Sequence, residues 1–382
     1  MIAPQVHAKV DAEVSGHART RMVFEDNAVA GAASDTDAVE HWENKVRFNF
    51  DVMPANGLKV RISPQFTHYF GAEGGDNAKF TAKEAWMMYS PNNMVSLYVG
   101  RQQVALGNEK IFGSNSWFQD TRVHDAVRAS FDFDMGMAHL LYVKAIEGTK
   151  TTPTTRDADL FGFYASFDKL SMLKVVDAYA VWKDKRNAVA ADRARFGTFG
   201  LRAAADFNAI DMDAELTANF GKVAGNDIKG IAGDLQVGYN WMDNRVGLGL
   251  TYANSEYQEL YPTTHRAGLR GSRYLGDAGI FNMNNIMAFS LLTNWALSKE
   301  FEASLDGWWF MAAKDDLGTV GGKTSAAKRN AGLEGDLAIA YMPMDMIAFQ
   351  TGYALFKPMS GLDDAGSDKI VHRAYLQGLV KF

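Results

Sequence analysis

Charged side chains recur at every second position along several stretches of this sequence, a spacing that lines one face of an extended chain with fixed charge. The basic members are Lys9, Arg19, Arg21, Lys45, Arg47, Lys59, Arg61 and Arg373, from the first three such stretches and the last. The acidic members are Asp177, Asp206, Asp213, Glu215, Asp234, Asp306, Glu334 and Asp336, from the ninth to the sixteenth. In a closed ring of strands these two groups lie on opposite sides. A basic wall facing an acidic one would set up a transverse field that orients dipolar or zwitterionic solutes and raises the barrier to apolar ones. The plainer reading is a wall of solvated or ion-paired charges that keeps the interior wet, since an exposed ion pair contributes little by itself. Under the first reading the transport path is lined by Lys45, Arg47, Lys59, Arg61, Glu84, Arg128, Arg202, Asp213, Glu215, Asp234, Asp306, Glu334, Asp336 and Arg373.

Catalysis would need a convergent Ser/His or Asp/His set. His7, His17, His41, His68, His124, His139, His265 and His372 are scattered, and alternation sends the adjacent His124 and Asp125 to opposite faces. No nucleophile elbow, HExxH, EF-hand loop, CxxC, phosphate loop or dinucleotide fingerprint is present, so the chain reads as a non-enzyme without a cofactor. Asp363, Asp364 and Asp368 form an acidic loop cluster with the chemistry for calcium, though solvated loop charge is the plainer reading.

The elements that must position these residues are strands. Val6, Ala8, Val10, Ala12, Val14, Gly16, Ala18, Met22 and Phe24 alternate with Gln5, His7, Lys9, Asp11, Glu13, Ser15, His17, Arg19 and Arg21, a 180° repeat that no helix produces. Trp42, Val46, Phe48, Phe50 and Val52 repeat the pattern, and after a Pro/Asn/Gly turn Leu58, Val60, Ile62 and Phe66 continue it as a hairpin in register. Such segments number about eighteen, with roughly 21 residues for each strand and its connection. Short connections at Met53 to Gly57, Ser90 to Asn93, Phe133 to Gly136, Phe207 to Ile210, Met242 to Asn244, Ser298 to Glu300 and Met342 to Asp345 are expected to alternate along the whole chain with long ones. The long ones are Asp26 to His41, Leu106 to Thr121, Glu147 to Ala158, Lys183 to Ala194, Ser255 to Asn285, Lys314 to Arg329 and Lys357 to Lys369. Short periplasmic turns alternating with long outer loops describe an antiparallel transmembrane β-barrel, all-β, with residues 1–382 as one domain.

Composition agrees. The chain has 382 residues, no cysteine and a net charge of −6, which leaves no clustered basic surface for nucleic acid. No apolar run reaches the length of a membrane helix and mean hydropathy is −0.19, a value compatible with a barrel whose alternate residues face lipid. A soluble sandwich or propeller would give no reason for every second loop to be long. The N-terminus lacks a basic segment followed by an apolar stretch, so the sequence reads as a mature chain.

The stretch around Gly100-Arg101-Gln102, Leu106-Gly107, Gly113, Trp117, Arg122 and Asp125 resembles the alginate-export family of outer-membrane porins. Glu84-Ala85-Trp86 upstream, and Gly332-Leu333-Glu334 with Asp336 downstream, are similar to that family's pattern. The resemblance implies an eighteen-stranded monomeric barrel whose exporter guides a polyanion through a strongly basic lumen, whereas the lumen here reads as mixed. The last strand ends in Phe382, which resembles the signal read by the barrel-insertion machinery of a Gram-negative outer membrane.

The expected function is a porin for passive diffusion of small polar or charged solutes, sugar acids or oligosaccharides among them. The alternatives are a structural or plugged surface barrel and an outer-membrane hydrolase. Outward aromatics such as Trp42, Phe66, Phe70, Tyr89, Trp295 and Trp309 suit interfacial girdles next to lipid and lipopolysaccharide. Trp308, Phe310 and Trp86 lean inward as wall packing or, less simply, as sugar-stacking rings. Leu106 to Thr121 and Ser255 to Asn285 are long enough to fold inward and narrow the pore, and small residues on the thirteenth strand leave open space.

Overall fold

The computed structural model describes residues 10–26, 38–71, 78–147, 156–187, 189–265, 275–314, 319–320, 323–324, 328–362 and 369–382. The first pairs of the N-terminal alternation, including His7 and Lys9, and the Asp363, Asp364 and Asp368 cluster lie outside the described residues.

The first ten strands are β1 (Asp11–Asp26), β2 (Val39–Ala55), β3 (Leu58–Tyr69), β4 (Ala78–Asn92), β5 (Val95–Gln102), β6 (His124–Phe133), β7 (Gly136–Ile146), β8 (Arg156–Phe167), β9 (Val175–Asn187) and β10 (Ala194–Phe207). The rest are β11 (Ile210–Val223), β12 (Asn226–Trp241), β13 (Asn244–Ala253), β14 (Ile286–Ala296), β15 (Phe301–Ala312), β16 (Thr319–Val320), β17 (Lys323–Thr324), β18 (Asn330–Met344), β19 (Ile347–Pro358) and β20 (Val371–Lys381). The short β16 and β17 pair with each other, and the other eighteen strands form one antiparallel sheet that closes where β1 pairs with both β2 and β20. Phe382 completes the seam: its backbone exchanges hydrogen bonds of 2.8 and 3.1 Å with Gly16, and its ring covers the place where a Cβ on Gly16 would sit.

Alternation becomes inside and outside. On β2, Phe48 and Phe50 are 40% and 42% exposed while their inward neighbours Lys45, Arg47 and Asp51 are buried. The outward aromatics Trp42, Phe66, Phe70, Tyr89, Trp295 and Trp309 are all exposed, as lipid-facing rings must be in a barrel. No helix among the described residues is long and apolar enough to cross a membrane.

The alternation of connection lengths is not complete. β11 and β12 meet on the long-loop side through two residues, Ala224 and Gly225, both with positive φ (52° and 85°). Positive φ at both central positions is the mirror-image turn that matches strand twist, and it needs no loop. On the opposite side β8 and β9 are joined by residues 168–174 rather than a tight turn.

These turns provide a test of orientation. The chain has no cysteine, so single cysteines report without background. Ala224→Cys should react with a membrane-impermeant maleimide on intact cells, and Asn56→Cys, in the β2–β3 turn, should react only after the outer membrane is opened. The reverse labelling pattern would invert the barrel.

Candidate functional site: a lumen crossed by two loops

Two long connections turn into the barrel and meet there. The first inserted loop, residues 103–123, runs from β5 to β6, and the second, residues 254–285, from β13 to β14 with 266–274 outside the described residues. Each is seated on apolar side chains that point inward. Val104, Leu106, Ile111 and Phe112 pack with Leu141, Val143, Leu160, Val181 and Phe196. Leu275, Ile280, Phe281 and Met283 pack with Trp308, Phe310 and Phe356. Burial of this apolar surface drives the loops inward. Trp308 and Phe310 are therefore covered, which removes them as sugar-stacking rings; Trp86 is half-buried with the Arg61 guanidinium 5.3 Å from its ring centre.

The wall charges hold the polar atoms of these loops. On the β1–β2 side Arg19 Nη1 donates to Trp117 O (2.6 Å), Arg21 Nη1 to the same carbonyl (2.9 Å), and Lys45 Nζ to Phe118 O (2.8 Å) and Ser116 O (3.0 Å). Across the barrel the polarity reverses: Asn108 Nδ2 donates to Glu215 Oε2 (2.8 Å) and Lys110 pairs with Asp234. The second loop uses acidic wall residues in the same way, with Ala278 N–H on Glu334 (2.8 Å) and Asp277 N–H on Asp336 (3.2 Å). A Cβ at Gly276 would lie 2.3 Å from the Glu334 carboxylate, and its φ of +76° adds a second reason for glycine there.

The loops also bind each other. Gly113 N–H donates to Tyr261 O (2.8 Å), Tyr261 N–H to Ile111 O (3.0 Å) and Thr263 N–H to Glu109 O (2.9 Å). Arg122 Nη1 bonds the carbonyls of Tyr261 and Pro262 at 2.5 and 2.7 Å. Trp117 stacks on His265 at 3.7 Å with an interplanar angle of 2°, and Arg21 covers its ring at 4.0 Å.

Of the two readings of the wall charges, this arrangement favours the ion-paired wall over a basic wall facing an acidic one across the lumen. The first loop bridges the two walls, and most wall charges meet a counterion on their own side. Glu43 pairs with both Arg19 (3.1 Å) and Arg21, and Asp51 with Lys59 (3.0 Å) and Arg61 (2.5 Å). Arg202 lies between Asp177 (2.8 Å) and Asp213 (2.6 Å). Eight of the expected path residues are buried. Lys45, Glu215 and Asp234 lie against the first loop, Glu334 and Asp336 against the second, and Asp306 in the wall, where it accepts from Thr293 N–H at 2.8 Å; Arg47 and Glu84 complete the set. Arg47 is buried against Gln65 (2.8 Å), Glu84 accepts from Gln103 N–H (3.0 Å), and Arg128 lies over Tyr98 at 4.1 Å. Lys59, Arg61, Arg202, Asp213 and Arg373 keep part of their surface exposed inside the barrel.

Two cavities lined in part by charged side chains flank the loops. One of about 530 Å³ on the long-loop side is bordered by Arg21, Glu25, Glu43, Trp117, Arg373 and Tyr375. The other, about 690 Å³ on the short-turn side, is bordered by Lys110, Arg202, Asp211, Asp213, Gln236 and Arg245. Arg245 lies flat along the wall to reach Asp211 (2.7 Å), which is possible because Gly238 and Gly247 carry no side chain: a Cβ there would lie 2.5 and 2.8 Å from its guanidinium. The small residues of β13 are thus partly space for an arginine. Sequence reasoning missed Lys110, Arg122, Arg245 and Trp117 as functional positions, although Trp117 and Arg122 stand inside the family-like stretch.

Ser130 Oγ and His139 Nδ1 are 2.9 Å apart. They are opposite residues of paired strands, and both are buried. Ring stacking with Tyr164 at 6.1 Å further encloses His139. Among the described residues no cluster of three His, Asp or Glu could hold a metal.

One loop carboxyl gives the seating a pH dependence. Burial pushes Glu259 up to about 7, opposed by the Met283 N–H that it accepts at 2.5 Å and by the charge of Arg122. A raised carboxyl binds its proton more tightly in the seated state, so seating loses stability as pH rises from the ordinary carboxylate range through about 7. Hydrogen exchange of residues 275–285 should therefore be faster at pH 8 than at pH 6 after correction for intrinsic rates, and Glu259→Gln should abolish that difference. An unchanged ratio in the variant would remove Glu259 as the cause.

A family model described as alginate export matches residues 10–373. None of the curated proteins is a significant sequence match. Among solved structures, the chain is similar to Acinetobacter baumannii OccAB3 with a TM-score of 0.70 at 9% identity, covering 97% of this chain and 99% of that one. It is similar to Pseudomonas aeruginosa OccK2 (OpdF), solved in complex with glucuronate, with a TM-score of 0.69 at 9% identity, covering 97% and 98%. It is also similar to Pseudomonas aeruginosa OccK5 (OpdH), with a TM-score of 0.66 at 8% identity over 97% and 98%.

Proposed function

The chain belongs to the alginate export family, and from that premise we propose that it is an outer-membrane channel for passive diffusion of small polar or charged solutes. The observation that carries this reading is the pair of cavities bearing charged side chains, of about 530 and 690 Å³, on either side of a loop constriction. Arg373 on the first and Arg202 and Asp213 on the second keep exposed parts as the groups a solute would meet.

The charge balance bears on the solute. The outer cavity sets Arg21 and Arg373 against Glu25, Glu43 and Asp120, and the inner sets Lys110, Lys174, Arg202 and Arg245 against Asp206, Asp211 and Asp213. A long polyanion would have to pass carboxylates already neutralised by the cations it needs. A compact solute with one charge, or with both signs, can exchange for one partner at a time. Sugar acids of the size of glucuronate fit that class.

In this reading residues 1–382 act as one barrel domain, monomeric, without enzymatic activity, embedded beside lipid and lipopolysaccharide, and inserted through recognition of the last strand ending in Phe382. A plugged surface barrel is the second reading, favoured by the first loop's bonds to both walls. Proteoliposome swelling decides between them: neutral monosaccharides should enter at rates that fall steeply with solute size. No swelling above protein-free vesicles would select the plug.

A further inference from the structure

The geometry points to a docking site for a phosphorylated, multiply acylated lipid on the outside of the barrel, across β5 to β10. At the long-loop ends of these strands the outward positions in register are all charged. Arg101 faces Asp125, Asp125 faces Lys144, Lys144 faces Asp159, Asp159 faces Asp184 and Asp184 faces Arg195. A charge facing hydrocarbon at mid-membrane is strongly disfavoured, whereas one at the interface is tolerated. An unbroken run of six therefore marks where this sector meets the headgroup layer.

The row has the chemistry for phosphates and for the divalent cations that accompany them. Arg101 and Asp125 form a bidentate pair at 2.8 Å with about half of each side chain exposed. Arg195 engages Asp184 through Nε (3.2 Å) and is 64% exposed. One step further out, Arg186 bonds Asp159 at 2.5 Å and is 50% exposed. A guanidinium has five N–H donors, so these arginines can take a phosphate without breaking their carboxylate bonds. The carboxylates in turn suit cations that bridge neighbouring phosphates.

On the same outer face, nearer the membrane midplane than the row, lies an apolar groove of about 510 Å³. Tyr142, Phe161 and Trp182 form its wall one step along the strands from the charged row, and Ala180 and Gly197 line it, with the Phe199 ring lying against Gly197. Tyr142 joins the two parts, because its hydroxyl donates to Asp159 at 2.9 Å. A groove for an acyl chain ending at a row of paired charges, whose arginines Arg101 and Arg195 stay about half or more exposed, describes a lipid with phosphate next to its chains. The site does not depend on permeation, and it rests only on the long-loop side facing outward, which the cysteine labelling tests separately.

Native mass spectrometry of the full chain in detergent tests the proposal with a bis-phosphorylated, multiply acylated glucosamine lipid, the same lipid without phosphates, and phosphatidylcholine. The phosphorylated lipid should be retained at least about tenfold more tightly than either control, the effect of one or more charge-assisted bonds. Lys144→Ala with Arg186→Ala and Arg195→Ala should remove that preference, Gly197→Phe should weaken retention by filling the groove, and Lys357→Ala on β19 should do neither. Equal retention of phosphorylated and dephosphorylated lipid by the unaltered protein would overturn the proposal without any variant. So would a folded triple variant that retains the lipid as the parent does. Unchanged retention by Gly197→Phe would overturn the groove as the chain's seat.

Discussion

Lys45→Met is expected to make transient openings of the constriction about a hundredfold more frequent, seen as excursions to a larger conductance in single-channel records. Lys45 lies under the first inserted loop with its ammonium between the carbonyls of Ser116 and Phe118. Hydrogen bonds from a charged donor contribute about 1.5–3 kcal/mol each, and their loss leaves two covered carbonyls without that donor. A change of about 3 kcal/mol is roughly a hundredfold in the ratio of seated to unseated loop. The matched control is Lys59→Met, whose ammonium pairs with Asp51 and does not touch the loop. Records in which Lys45→Met and Lys59→Met behave alike would show that the wall charge does not hold the loop.

The second large effect concerns the outside. Leu248 lies in the middle of β13 with 67% of its surface exposed, beside Val237 and Leu291 on the neighbouring strands. An arginine there faces hydrocarbon at a cost of about 2–4 kcal/mol, a large fraction of a membrane barrel's net stability. Leu248→Arg should lower the folded, heat-modifiable fraction and shift the urea midpoint down, while Gln236→Lys, a cation placed on the inner cavity, should leave both near the parent. Equal stability of the two variants would mean that the inside and outside faces have been exchanged.

The barrel was legible because its information is local. A strand such as β2 declares both faces in ten residues, with Phe48 and Phe50 opposing Lys45, Arg47 and Asp51, and a one-residue slip would expose every charge to lipid. The family-like stretch from Gly100 to Asp125 was legible for a different reason, since it contains the crossing loop and its anchors Trp117 and Arg122. What could not be read is which partner each charge would meet. Glu43 and Asp51 share the inward face with Arg19, Arg21, Lys59 and Arg61, and alternation alone does not say which of them pair. The two loops that turn inward, Leu106 to Thr121 and Ser255 to Asn285, stood out by length, but their seats did not, because Leu106, Ile111, Phe112, Phe281 and Met283 follow no period. Their destination is fixed by apolar seats contributed by strands far away in sequence. The two-residue turn at Ala224 and Gly225 escaped because nothing local distinguishes a tight outer turn from a tight inner one.

The most direct test of the central claim is the reversal potential and conductance of the purified chain in a planar bilayer under a salt gradient. A channel built on near-balanced, ion-paired cavities should show discrete conductance steps with weak ion selectivity. Arg61→Glu, which sets a third carboxylate beside Asp51 and Glu84, should move the reversal potential toward cations by an amount that shrinks as salt is raised. Absence of conductance steps would contradict the channel itself. Strong anion selectivity that Arg61→Glu does not alter would contradict the mixed lumen.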